Sequence, residues 1–260
     1  MNRLGLSETL LSRVEDAGIN ASAPPQQRWI DGWLVRTSPG KAKRARCVQA
    51  VADGRLPLAE RLALCAAVYQ AAQLPMVLRQ TPFSMPAGLD LFLAGQGFQR
   101  LDETRVMVTP QLPLAPEPLP PGLALEALTP AAFAEVVGAL RGSPAAQRAA
   151  QAERLALSPV PLQALALRRL DDGAILACGQ AAVEAELVGL YDVFTHPQAR
   201  GQGLARQLCT DLLVRARLAG ARVAYLQVEA DNHVARSIYH RLGFADGYAY
   251  HYRMLEPDLH

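Results

Sequence analysis

The stretch YDVFTHPQARGQGLARQL, from Tyr191 to Leu208, carries the strongest structural signal in this chain. An apolar strand pattern ends in a turn at Pro197, two glycines follow one residue apart, and a helical pattern begins. The first N–H groups of a helix lack intrahelical acceptors and carry the positive end of the helix dipole, so they favour an anion. Gly201 and Gly203 allow close approach of the backbone. We therefore expect the N–H groups of residues 200–205 to surround a pyrophosphate.

Two common phosphate-binding loops do not fit this stretch. A P-loop requires Gly-Lys-Ser/Thr, but Leu204-Ala205 follows the second glycine here. The dinucleotide-binding fingerprint requires a third small residue where Arg206 stands, and an acidic ribose ligand after it. Two alternatives stay open, namely a strand-to-helix turn that uses glycine for geometry alone and, less favoured, another nucleotide-binding α/β module.

The sequence around the glycine loop predicts an α+β fold with a mixed sheet and helices on both faces. A strand at 123–128 and a helix from Thr129-Pro130 come first, followed by a meander of three strands that ends at Thr195. Leucines four residues apart predict a helix over 203–218. A strand at 221–230, a helix at 231–244 and a strand at 248–255 complete this half.

A proline-rich segment divides the chain. PQLPLAPEPLPPG, residues 110–122, contains six prolines, which lack a backbone donor and favour an extended connector. We therefore predict three parts: an N-terminal domain at 1–109, a linker at 110–122 and a second domain at 123–260. The sequence of the first part predicts a hairpin with Ser38-Pro39-Gly40 at its tip. A helix, a strand and a short helix are predicted to follow it. Both domains have a helix that ends in Gly-Phe before a last strand, which suggests two copies of one fold.

Composition excludes several classes of function. Among 260 residues, half are hydrophobic and the net charge is +2, which indicates a folded protein and gives no case for a nucleic-acid binder. The four cysteines stand singly, without the spacing of metal ligands, so we expect neither a metal site nor disulfides. No signal-peptide pattern and no apolar run of about 18 residues occurs. We expect a cytoplasmic protein without a membrane partner.

Two motifs about 30 residues apart carry a family resemblance. HPQARGQGLA resembles the Gln/Arg-x-x-Gly-x-Gly/Ala motif of the GNAT acyltransferase superfamily, with Gln198, Gly201 and Gly203 in its fixed positions. VEADNHVARSIYHRLGF is similar to the superfamily's second motif, with Asn232 at a helix start and Tyr239 seven residues on. The resemblance covers residues 123–255. The first half resembles the degenerate N-terminal copy of tandem members.

The resemblance implies a GNAT-like fold in two related domains, with acetyl-CoA as the acyl donor and no metal. The glycine loop would then hold the CoA pyrophosphate, and backbone groups of Val193 and Thr195 would bind the pantetheine arm. The acceptor would be the primary amine of a small molecule or peptide. The implied donor-binding residues are Val193, Phe194, Thr195, Gln198, Arg200, Gly201, Gln202, Gly203, Leu204, Ala205, Asn232, Ala235 and Tyr239.

The chemistry of amide formation requires an acid and a base. An alkylamine has a pKa near 10, so a carboxylate or histidine must accept its proton before or during attack. Asp192 and Glu229 are the leading candidates for this base; the less favoured ones are Glu184, Glu186 and His196. The resemblance places Tyr239 as the acid that protonates the departing thiolate. Half-buried packing is the competing interpretation for this tyrosine.

Several questions stay open at this level. A non-catalytic CoA-binding regulatory or interaction protein is the main alternative function. The basic run KAKRAR at 41–46 is either a solvated turn or a contact for an acidic acceptor or the CoA 3′-phosphate. A tandem chain is compatible with a monomer or a homodimer.

Overall fold

The computed structural model describes residues 5–40 and 42–255. The first half contains helix α1 (Glu8–Ala21), strands β1 (Gln27–Ile30), β2 (Trp33–Arg36) and β3 (Val48–Gln49), helix α2 (Leu58–Ala71), strand β4 (Val77–Gln80), helix α3 (Leu89–Gly95) and strand β5 (Gln99–Thr109). A 3₁₀ turn at Lys43–Ala45 lies between β2 and β3. Ser7 caps α1 by accepting a hydrogen bond from the backbone N–H of Leu10 at 3.2 Å.

The second half begins after the proline-rich segment. It contains strand β6 (Leu123–Leu128), helices α4 (Pro130–Leu140) and α5 (Ala145–Ala156), strands β7 (Leu162–Arg169), β8 (Ile175–Glu184) and β9 (Leu187–Thr195), helix α6 (Leu204–Leu218), strand β10 (Val223–Glu229), helix α7 (His233–Arg241) and strand β11 (Ala245–Met254). Thr129 caps α4 through its side chain, and Pro130 takes the first helical position, as the sequence predicts.

One mixed sheet of eleven strands contains both halves, in the order β1-β2-β3-β4-β11-β5-β10-β9-β8-β7-β6. The pair β3–β4 is parallel, and so is the pair β9–β10. Each half ends in a strand that crosses to the other half: β5 pairs with β10, and β11 pairs with β4. The central pair β5–β11 is antiparallel. The order of strands is therefore nearly symmetric about this central pair.

Helices cover both faces of the sheet, as expected for an α+β fold with a mixed sheet. Leu190 on β9 packs with Leu208 and Leu212 of α6, whereas its neighbour Tyr191 packs with Val14 of α1. Because successive side chains of a strand point to opposite faces, α6 and α1 lie on opposite sides. The fold class is therefore confirmed. The division into domains at 110–122 stays a prediction.

Three local expectations need correction or addition. The first hairpin turns at Asp31-Gly32, because residue 27 pairs with residue 36 and residue 30 with residue 33, and Ser38-Pro39-Gly40 instead lies in the connection from β2 to β3. Helices α1 and α5 were not predicted. Only Leu155 of α5 is buried, and its other apolar residues are small alanines, so the helix carries few large apolar side chains.

Candidate active site

The glycine loop forms an open N-terminus on α6. Gly203 is the N-cap residue with φ 77°, and Gly201 has φ 78°, both in the left-handed region that favours glycine. A Cβ built at either position meets no atom within 4 Å. Within the described part of the chain, no acceptor contacts the N–H groups of Leu204 and Ala205. Donors and open space therefore occur together where the sequence predicts an anion.

Strands β9 and β10 separate beside this loop. Their parallel pairing runs from Leu187–Val223 to Leu190–Leu226 and goes no further. On the other side, β9 pairs with β8 through a β-bulge, since Cys178 faces Phe194 but Gln180 faces Tyr191. Asp192 lies in the bulge with φ 52°. The residues of β9 from Val193 to Thr195 therefore have no strand partner on the β10 side.

A cavity of about 620 Å³ opens where the strands separate. It brings together six of the predicted site residues, namely Tyr239, Asp192, Glu229, Val193, Asn232 and Ala235. The other predicted residues do not line this cavity and lie at the end of β9 and in the glycine loop; they are Phe194, Thr195, Gln198, Arg200, Gly201, Gln202, Gly203, Leu204 and Ala205. The less favoured bases Glu184, Glu186 and His196 are also absent from its walls.

Tyr239 lies on α7, where its ring packs edge-on against Phe244 with centroids 6.1 Å apart. Its hydroxyl forms no hydrogen bond to a described residue. Burial raises the pKa of Tyr239, and Cys209 adds to the effect. The phenol is therefore protonated at neutral pH and faces a cavity in which it has no partner.

Asp192 is held by three donors. Arg141 Nη1 donates to Oδ1 at 2.8 Å, while Gln180 and Gln151 donate to Oδ2 at 3.0 and 3.2 Å. Burial alone would raise the pKa of Asp192, but Arg141 and Arg154 outweigh it, so its pKa is lowered. This carboxylate is well placed to fix the bulge and poorly suited to accept a proton.

Glu229 has a different environment. It is the last residue of β10, it is exposed, and its side chain forms no hydrogen bond or ion pair with any residue of the described ranges. Lys43 lies near it, but that ammonium is paired with Asp102. Glu229 is therefore the cavity carboxylate with unused acceptor oxygens.

Asn232 caps α7, because its Oδ1 accepts a hydrogen bond from the N–H of Ala235 at 3.1 Å. Its amide nitrogen is not used in the cap and lies at the wall of the cavity.

The first half and β11 supply much of the remaining cavity wall, which sequence motifs did not reveal. Tyr250 of β11 donates to Oε1 of Gln227 at 2.9 Å, and Arg44 Nη1 lies 3.4 Å from the Tyr250 oxygen. Arg44 belongs to the basic run at 41–46. Lys43–Ala45 of this run form the 3₁₀ turn, and its described cations Lys43, Arg44 and Arg46 line the cavity. Lys41 of this run lies outside the described residues.

The proline-rich segment contacts the start of α6. Arg206, in the first turn of α6, forms an ion pair with Glu117, and Gln207 Nε2 donates to the Glu117 carbonyl oxygen at 2.9 Å. The segment is therefore anchored beside the open helix N-terminus.

Residues 5–40 and 42–255 contain no cluster of three or more His, Cys, Asp or Glu side chains that would hold a metal ion. None of the helices within these ranges combines the length and apolar character needed to span a bilayer.

One family matches part of the chain: residues 141–244 match the acetyltransferase (GNAT) family. No curated protein matches the chain. Many solved structures share its fold, and three of them are described here. A GCN5-related N-acetyltransferase from Kribbella flavida has a TM-score of 0.68 and 17% identity, with 95% of each chain covered.

The other two structures cover less of the chain. A tandem GNAT protein from the clavulanic acid biosynthesis pathway has a TM-score of 0.60 and 18% identity over 78% of this chain and 72% of its own. A GCN5-related N-acetyltransferase from Sphaerobacter thermophilus has a TM-score of 0.56 and 17% identity over 75% and 66%. At these identities the likeness concerns the fold, which both halves of the chain share with such proteins.

Proposed function

Since residues 141–244 match the acetyltransferase (GNAT) family, we propose that the chain transfers an acetyl group from acetyl-CoA to a primary amine. The observation that carries the proposal is the open N-terminus of α6 beside two strands that separate into a 620 Å³ cavity. An anion-binding loop, an unpaired strand edge and a reaction chamber thus occur in one continuous region.

Acetyl-CoA fits the residues at hand. The N–H groups from Gly201 to Ala205 would bind the pyrophosphate, because they carry the helix dipole and lie in open space. The free edge of β9, at Val193 and Thr195, would bind the pantetheine amides. The thioester, once bound, supplies an activated acetyl group and a thiolate leaving group.

We assign the acid to Tyr239. Its phenol is protonated at neutral pH, faces the cavity and has no competing partner among the described residues. A hydroxyl in this setting can donate to a thiolate as that charge develops. Its packing against Phe244 fixes the ring without engaging the oxygen.

We assign the base to Glu229 in preference to Asp192. Asp192 is bound by three donors and its pKa is lowered, so protonating it would break contacts that hold the bulge. Glu229 has free oxygens at the same cavity and would accept a proton from the substrate ammonium, directly or through water, so that the neutral amine attacks the thioester.

Calorimetry with acetyl-CoA, followed by thiol release with a panel of amines, tests the proposed function. We expect one molecule of acetyl-CoA to bind per chain, and at least one amine to accelerate thiol release. Absence of binding would overturn the proposal. Binding without amine-dependent thiol release would instead support a non-catalytic CoA-binding protein.

A further inference from the structure

A second cavity of about 230 Å³ adjoins the first between the two halves. Its walls come from the end of α1, residues of the β2–β3 connection on either side of residue 41, the α4–α5 connection, helix α5, and strands β7, β8 and β9. Five residues line both cavities, namely Ala42, Arg44, Arg141, Tyr191 and Asp192. A ligand that occupies the small cavity therefore lies next to the chamber that contains Tyr239 and Glu229.

The charges around this cavity do not balance. Among the described residues, its charged lining consists of Arg44, Arg141, Arg154 and one acid, Asp192, which is already bonded to Arg141. Arg44 and Arg154 form no ion pair with any residue in the described ranges. Nor does Arg36, which is buried close by and donates to the carbonyl oxygen of Arg44. Three cations thus share the region without carboxylate partners of their own.

Arg154 is the least satisfied of these groups. Neither a hydrogen bond nor an ion pair links its guanidinium to a residue that the structure describes, although it lines the cavity. Burial lowers the pKa of Arg154, and nearby Arg44 opposes the charge further, against partial relief from Asp192. Burial likewise lowers the pKa of Arg36 to about 10. Partly buried cations without partners cost free energy that a bound anion would recover.

We propose that the small cavity binds a carboxylate of the acceptor, so that the substrate is a small amine of the amino-acid class. Arg154 binds the carboxylate with its planar fork, Arg44 adds a second cation, and the amine extends past Asp192 toward Glu229. The inference rests on the proposed acetyl transfer for the role of the amine. The carboxylate site itself is independent of that reaction.

Direct binding tests the carboxylate site. Calorimetry without acetyl-CoA would compare the protein amino acids, β-alanine and 4-aminobutyrate with their amides, and would include phosphoethanolamine. We expect at least one acid to bind about 10- to 100-fold more tightly than its amide, in line with a charged hydrogen-bonded contact. Arg154→Gln should abolish that preference, and Arg154→Lys should restore part of it. Arg215→Gln, on the exposed face of α6, is the matched control and should bind as the unchanged protein does.

Steady-state kinetics provides a second readout. For the best acid, Arg154→Gln should raise KM about 10-fold or more while kcat and the Kd for acetyl-CoA stay unchanged. Binding of no acid, equal binding of acids and amides, or preference for phosphoethanolamine would overturn the inference. Weaker acetyl-CoA binding in Arg154→Gln would assign the arginines to the donor and overturn it too. If the unchanged protein binds the carboxylate but transfers no acetyl group, only the proposed function is overturned.

Discussion

The loops that precede α2 and α6 occupy equivalent places in the two halves, each between a pair of parallel strands, yet only one of them is open. Before α2, the Asp31 carboxylate accepts hydrogen bonds from the N–H groups of Arg55 and Leu56, both at 2.9 Å, and lies 3.0 Å from Arg61 Nε. A Cβ at Gly54 would come within 2.0 Å of this carboxylate. Before α6, no side chain fills the corresponding space.

The comparison shows that loops in equivalent places can differ in whether the chain's own side chain fills them. A helix N-terminus favours an anion, and in the first half the Asp31 carboxylate of the hairpin turn lies just before the helix. The second half leaves the position for a ligand. Helices α3 and α7 differ in the same way. When Gly97-Phe98 is aligned with Gly243-Phe244, the buried Leu93 of α3 corresponds to Tyr239 of α7.

The largest expected effect comes from making the second loop like the first. Gly203→Asp places a carboxylate in the space that Asp31 fills in the other half, and should weaken acetyl-CoA binding at least about 100-fold by repulsion. Calorimetry measures the change. Gly220→Asp is the matched control, because Gly220 also has positive φ and open space but lies at the opposite end of α6. Equal binding by the two variants would contradict an anion site at Gly203.

Removing the phenol makes α7 resemble α3 at its key position. Tyr239→Phe should lower kcat about 100-fold, the usual scale of a proton transfer, while the Kd for acetyl-CoA stays the same. Assays of thiol release at several pH values measure this change in kcat. Unchanged turnover across that range would leave Tyr239 with a packing role only.

The base assignment predicts a smaller effect. Glu229→Gln should lower kcat/KM about 10-fold, because an amide cannot accept the proton that a carboxylate accepts. Asp192→Asn should instead lower the melting temperature, because Arg141 loses an ionised partner at the bulge. If Asp192→Asn lowers kcat/KM and Glu229→Gln does not, the assignments must be exchanged.

The smallest effect is expected in the first half. The N–H groups of Arg55 and Leu56, and then Arg61, lower the pKa of Asp31 below its ordinary value of 3.8. A lowered folded-state pKa stabilises the fold above the unfolded pKa, and this stabilisation is lost as pH falls through the folded value. Asp31→Asn should therefore melt at a lower temperature at pH 7, with the difference narrowing below about pH 4. A second acetyl-CoA site in this variant, seen by calorimetry, would show that Asp31 alone blocks the first loop.

Local features of the site were predictable from sequence, whereas the walls of its cavity were not. Gly201, Gly203, Asn232 and Tyr239 lie at the ends or on the faces of single helices, so their spacing along the chain predicts where they stand. The bulge at Asp192 depends on register with β8, which no local pattern fixes. The contribution of the first half depends on strand pairing across the whole chain.

The basic run at 41–46 illustrates that limit. Its charge suggested a solvated turn or an anion contact, and its position beside Asp192 follows only from the way in which the two halves join. No sequence motif pointed to Arg141 or Arg154. Isolated arginines are most often exposed, so neither was expected to line a cavity.

The crossing of β5 and β11 has a consequence for how the protein is made. On the ribosome, the first half emerges early and β4 can pair with β3. The other edge of β4 stays unpaired until residues 251–254 of β11 have been synthesised. The nascent chain therefore holds an open strand edge for most of translation, a condition that invites pairing with other chains. Chaperone dependence and sensitivity to truncation near the C-terminus should accordingly exceed those of two domains that close their sheets separately.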